Sequence, residues 1–205
     1  MPRLTRRSLA CTAALALLAT GSAYAHPGHV GHSSDSSFAT GFMHPFSGLD
    51  HVLAMVAVGL WAAQRGGRLM VALPAVFVGV MVLGGAAAMT GLPIPMVESG
   101  IAASVLIMGL LVAAAAKFPA APSLALVALF AVFHGHAHGT ELSVSSGAFD
   151  YTAGFALATA ILHLIGIAIS TGARKALDGT TEQWALRAGG GLVTAAGVLM
   201  VAGLL

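Results

Sequence analysis

The chain has 205 residues, of which 58% are apolar and only 8% charged, and its mean hydropathy is +0.91. A water-soluble domain carries about a quarter of its residues as charges to cover its outside, so a soluble fold is excluded and lipid must be the solvent over most of the surface. The formal charge of +2, nine Lys and Arg against seven Asp and Glu, is too small to argue for an electrostatic partner.

The first 25 residues read as a secretory signal peptide. Arg3, Arg6 and Arg7 form its basic start, residues 9–19 its short apolar core, and Ala23-Tyr24-Ala25 a small-x-small cleavage site. The core falls short of the ~20 residues of a membrane span. Cleavage would remove Cys11, the single cysteine, leaving no disulfide and no thiolate ligand. It would also leave six basic against seven acidic residues, a charge near −1. The basic pI of the whole chain therefore implies no nucleic-acid partner. Residues 26–41 follow as a polar tail, with His26, His29 and His32 at every third position among Gly and Pro. Such a tail can gather metal loosely or serve as a linker whose histidines do nothing specific.

Residues 42–205 form the transmembrane domain, in six apolar blocks: 42–63, 69–90, 99–116, 123–139, 151–171 and 188–205. Each approaches the length needed to cross a bilayer as a helix. Gly and Ala are abundant throughout, as expected where helices approach closely without a hydrophobic drive between them. The expected fold is all-α: a polytopic bundle of six transmembrane helices. Arg65, Arg68, Lys117, Arg174, Lys175 and Arg187 all fall in the first, third and fifth connections, whereas the second and fourth carry Glu98, Glu141 and Asp150. Positive charge marks the cytoplasmic side, which predicts both termini outside and agrees with the signal peptide. The expected location is a bacterial inner membrane.

Two polar segments interrupt the apolar blocks. His44-Pro45-Phe46-Ser47-Gly48-Leu49-Asp50-His51 opens the first. In one continuous helix its two histidines would return to one face after two turns, with Asp50 about 100° round from His51. In the fourth block, Phe133-His134-Gly135-His136-Ala137-His138-Gly139-Thr140-Glu141 places His134, His138 and Glu141 on one face. His136 points away. Gly135 and Gly139 would let another helix close in, or let this one unwind and offer carbonyl oxygens to an ion. With both termini outside, both segments lie in the outer half of the membrane. His163 stands alone near mid-membrane, either as an interhelical hydrogen bond or as a ligand further along a path.

Ionisable groups in a bilayer cost a few kcal/mol or more each, and a bound cation is the simplest compensation. Imidazole with carboxylate and no thiolate suits Ni²⁺, Co²⁺, Zn²⁺ or Cu²⁺ over Mg²⁺ or Ca²⁺. Ligating imidazole must be neutral, so binding should weaken as pH falls through the ~6.5 of free histidine. The candidate metal ligands are His44, Asp50, His51, His134, His138, Glu141 and His163, with His26 and His29 in the tail. There is no Gly-x-x-x-x-Gly-Lys-[Ser/Thr] phosphate loop, so ATP hydrolysis is not expected of this chain. The same ligands could instead hold a catalytic metal with an open position, or a haem in a metal-binding accessory protein. No His-Glu-x-x-His motif supports the enzyme alternative.

His44-Pro45-x-x-Gly48-x-Asp50-His51, continued by Ala54-Met55 and Val58-Gly59-x-Trp61, resembles the signature of the HupE/UreJ proteins. Phe133-His134-Gly135-x-Ala137-His138-Gly139-x-Glu141 is similar to that family's second motif, and Ala158-Thr159-Ala160-x-Leu162-His163 to its fifth-helix pattern. The resemblance implies a permease, not an enzyme, taking Ni²⁺ or Co²⁺ from periplasm to cytoplasm as substrate, for hydrogenase, urease or cobalamin assembly. It implies no permanent cofactor. The bilayer and the divalent ion are the expected partners, with further copies of the chain and metallochaperones or maturation proteins as candidates. His136 falls at a free position of the second motif and gains no role from it.

Overall fold

The computed structural model describes residues 37–142 and 147–205. The signal peptide, His26, His29 and the rest of the tail to residue 36 lie outside the described residues. Seven helices follow in order among those described: α1 (Phe38–Ser47), α2 (Leu49–Arg65), α3 (Leu69–Met89), α4 (Val97–Ala114), α5 (Ala120–Glu141), α6 (Ala148–Ala176) and α7 (Gly179–Val201). No strand occurs among the described residues. Five helices, α3 to α7, are long and apolar enough to cross a membrane. Much of their surface faces outward and is hydrophobic, with Phe149, Leu83 and Val71 more than two-thirds exposed. In water that surface would drive aggregation; in a bilayer it is the contact with lipid. The chain is a multi-pass membrane protein.

The first apolar block departs from expectation. It is not one helix: α1 and α2 meet at Gly48 with a bend of 85°. Gly48 takes an extended conformation, φ −102° and ψ 123°, which ends one helix and starts the next. The 17 residues of α2 rise only about 26 Å, less than the ~30 Å hydrocarbon core, and α1 makes up the rest of a bent segment. The helical positions of His44 and His51 are therefore set by a corner, not by two turns of one helix.

α2 is the centre of the bundle. It packs on α3, α4, α6 and α7 as well as α1, and Ala54, Met55, Ala57, Trp61, Ala62 and Ala63 are wholly buried. Close approach between helices depends on glycine at several crossings, two of which position the histidines. A Cβ on Gly59 would collide with the His163 carbonyl oxygen, and one on Gly166 with that of Val56, so α2 and α6 touch backbone to backbone. Gly135 and Gly139 do the same for α5 against Met81 and Gly85 of α3, as their four-residue spacing predicts. Their second predicted use is not realised, because α5 runs as unbroken helix from Ala120 to Glu141.

The last helix begins at Gly179, nine residues before the predicted block, because Asp178 caps it. The Thr181 N–H and hydroxyl both donate to the Asp178 carboxylate, at 3.0 and 2.9 Å, satisfying an open helix end. Arg187, expected in a connection, thus lies within α7, and Arg174 and Lys175 lie in the last turn of α6. At this end of the bundle polar side chains tie α2 down. The Trp61 indole N–H donates to the Ala116 carbonyl at 2.9 Å, the Arg65 guanidinium to Ser123 Oγ at 2.8 Å and to the Phe118 carbonyl, and Arg174 to the Ala63 carbonyl.

Candidate metal centre

The corner at Gly48 builds the site. Glycine offers no side chain to cap α2, and Asp50 Oδ1 serves instead, accepting the His51 backbone N–H at 2.8 Å. The carboxylate also sits at a helix N-terminus, where negative charge is favoured. The same oxygen lies 2.8 Å from His51 Nδ1. A carboxylate can only accept, so Nδ1 carries the ring proton and Nε2 of His51 is left with its lone pair. Asp50, expected to flank a ligand site, reaches the ring directly and orients it, as second partners of ligating histidines do.

His51 Nε2 faces His138 Nε2 on α5 at 2.6 Å. With the His51 proton committed to Asp50, the His138 Nε2–H is the donor. One turn earlier on α5, His134 lies with its ring centroid 5.0 Å from that of His51. α1 then brings His44 to 4.4 Å from His138 and 6.1 Å from His51. Four imidazoles from three helices thus share one locus, with His51, His134 and His138 buried. Phe155 and Tyr151 of α6 pack against His44, and Phe77 of α3 against His134. A small pocket reaches the locus beside His138, lined by Met81, Gly85, Tyr151 and Phe155.

The remaining candidates separate. His163 is fully buried against Phe77, ring centroids 5.1 Å apart, and the same phenyl ring also contacts His134. Neither of its nitrogens has a hydrogen-bond partner among the described residues, so the reading as a satisfied interhelical hydrogen bond does not hold. Glu141 is the last residue of α5; its side chain lies outside the described residues, as do His26 and His29. His136 does point away, its Nε2–H donating to the Leu92 carbonyl at 2.7 Å and holding the α3–α4 connection. Among the described residues no three His, Asp or Glu side chains are already disposed to hold one ion. Two nitrogens on one tetrahedral ion stand about 3.3 Å apart, whereas His51 and His138 have closed on each other at 2.6 Å.

Ser104 of α4 was not among the sequence candidates. It is fully buried, with Oγ 3.0 Å from His134 Nε2 and 2.6 Å from the Ile101 carbonyl. Phe77, which touches both His134 and His163, was likewise not singled out. Neither residue type carries a metal signal, and both lie more than 25 positions from the histidines they touch, so no spacing rule could have found them.

A polytopic helical membrane protein with a buried knot of imidazoles near one end of the bundle is the class that fold and site define. The chain belongs to the HupE/UreJ family, whose model, described as HupE / UreJ protein, matches residues 13–200. It is 45% identical over 192 residues to "Protein HupE" of Rhizobium leguminosarum bv. viciae, a match covering 94% of this chain and 97% of that protein. No solved structure matches the chain.

Proposed function

We propose that this chain is an inner-membrane permease that admits a divalent transition metal, Ni²⁺ or Co²⁺, from the periplasm to the cytoplasm for metalloenzyme or cobalamin assembly. One observation carries the reading: His44, His51, His134 and His138 converge from three helices on one locus in a lipid-facing bundle. So many polar rings are costly in a bilayer unless an ion satisfies them. Imidazole nitrogen is the donor that borderline metals prefer. The family resemblance favours nickel or cobalt among these.

On this reading the bent first segment joins the five long helices as a sixth crossing, and the basic residues at the α2–α3, α4–α5 and α6–α7 junctions support a cytoplasmic position for those ends. The histidine knot then opens to the periplasm. An arriving ion parts His51 from His138 by under 1 Å and takes Nε2 of His51, which Asp50 keeps unprotonated on that side. His138 contributes Nε2 once its proton has shifted to Nδ1 of the same ring. His44, His134 and Glu141 replace further water. His163, past Phe77, is the next nitrogen donor inward, and the tail with His26 and His29 raises the local metal concentration.

Uptake of ⁶³Ni or ⁵⁷Co into proteoliposomes tests the proposal. Saturable uptake that vanishes in His44→Ala/His138→Ala is expected. Equal accumulation by wild type and variant would remove the assignment, and competition by Zn²⁺ and Cu²⁺ would rank the substrates.

A further inference from the structure

Ser104 sits on α4, a helix that contributes no histidine, yet its hydroxyl is fully buried against the metal locus. A serine hydroxyl has one proton to give and two lone pairs to offer. The Ile101 carbonyl oxygen, 2.6 Å away, can only accept, so it takes the Ser104 proton. What remains toward His134 is a lone pair. The contact of 3.0 Å between Ser104 Oγ and His134 Nε2 is therefore a hydrogen bond donated by the ring. A neutral imidazole has one N–H; with that proton on Nε2, Nδ1 of His134 must be bare. That nitrogen is buried and has no hydrogen-bond partner.

We propose that Ser104 is a positioning residue for metal binding: it holds His134 in the Nε2–H tautomer and so presents Nδ1 as the donor. The logic parallels that of Asp50 on His51, but with the opposite ring nitrogen. Asp50 accepts a hydrogen bond from Nδ1–H and leaves Nε2 bare, whereas Ser104 accepts one from Nε2–H and leaves Nδ1 bare. The two devices come from different helices and act on rings 5.0 Å apart. Together they give each of the two rings a defined donor atom before any ion arrives, removing the cost of selecting a tautomer on binding. The proposal rests on the reading of the knot as a metal site, and its test is built to fail separately from that reading.

The test is the ¹⁵N spectrum of histidine-labelled protein in lipid nanodiscs without metal, where protonated and bare ring nitrogens resonate far apart. The wild type is expected to show His134 with Nε2 protonated and Nδ1 bare. Ser104→Ala, which changes little volume, should give mixed tautomers for this ring alone. It should also weaken Ni²⁺ binding by about 10–100-fold, the usual effect of losing the group behind a ligating histidine. A helix-packing role for Ser104 would lower the melting temperature without altering the tautomer. An Nδ1–H tautomer in the wild type, or unchanged tautomer and affinity in Ser104→Ala, overturns the assignment. A wild type that binds no Ni²⁺ overturns the metal reading, whatever the spectrum shows.

Discussion

Gly48→Ala isolates the corner between α1 and α2. The backbone there, φ −102° and ψ 123°, is ordinary extended conformation that alanine adopts without strain. Any effect must therefore come from the added methyl group. That Cβ would stand 2.6 Å from Asp50 Oδ1 and 2.9 Å from His51 Nδ1, well inside van der Waals contact, so carboxylate and ring cannot both stay where they are. Overpacking costs about 1–3 kcal/mol, and a hydrogen bond to a charged group contributes about 1.5–3 kcal/mol. The two ranges agree that the Asp50–His51 bond is displaced or broken. Loss of the carboxylate behind a ligating histidine then weakens metal binding by about 10–100-fold. Calorimetric titration of Ni²⁺ into purified protein in nanodiscs reads this directly. Asp50→Asn provides the control, because both substitutions act on one bond. The double variant should bind no more weakly than the poorer single variant, a coupling that distant sites do not show. Wild-type affinity in Gly48→Ala, or full additivity with Asp50→Asn, would refute the argument that the glycine exists to seat this pair.

Three further outcomes are expected. Gly135→Leu should separate α5 from α3, because its first side-chain carbon already collides with the Met81 carbonyl oxygen; the melting temperature falls and His138 loses its place against His51, read by thermal unfolding and Ni²⁺ titration together. Metal affinity should fall steadily as pH is lowered below the range of free imidazole, because a protonated ring cannot ligate; titrations between pH 5 and 8 check the sign. Asp178→Ala should destabilise α7 and leave metal affinity unchanged. The Thr181 backbone N–H, then its hydroxyl, hold the Asp178 carboxyl below its ordinary range. The stabilisation is therefore complete above the usual carboxylate pKa and fades as pH falls through the lowered one. Unfolding midpoints of wild type and variant should converge in acid.

Much of this molecule is legible in its sequence because lipid is an undemanding reader. Long apolar blocks can only become helices in a bilayer, and five of the six predicted blocks correspond to single helices, α3 to α7. The two histidine segments also meet as their common depth implies, with His51 against His138 across 87 positions. The corner at Gly48 was hidden for the same reason. Hydropathy runs on through Pro45 and Gly48, and both residue types occur inside intact membrane helices, so nothing local marks a break. The start of α7 was displaced because the amphipathic turn after Asp178 is too polar for a hydropathy window, although an Asp followed by Thr181 and Glu182 is a readable cap. Ser104 and Phe77 lay beyond reach altogether. A lone serine or phenylalanine in an apolar block acquires meaning only from the ring packed on it, and helix order does not fix which face meets which.

X-ray absorption at the nickel edge of metal-loaded protein tests the central claim most directly. Coordination by three or more imidazoles in the wild type, with one histidine fewer in His138→Ala, is the predicted result. An ion held by oxygen donors alone, or a spectrum indifferent to His51, His134 and His138, would contradict it.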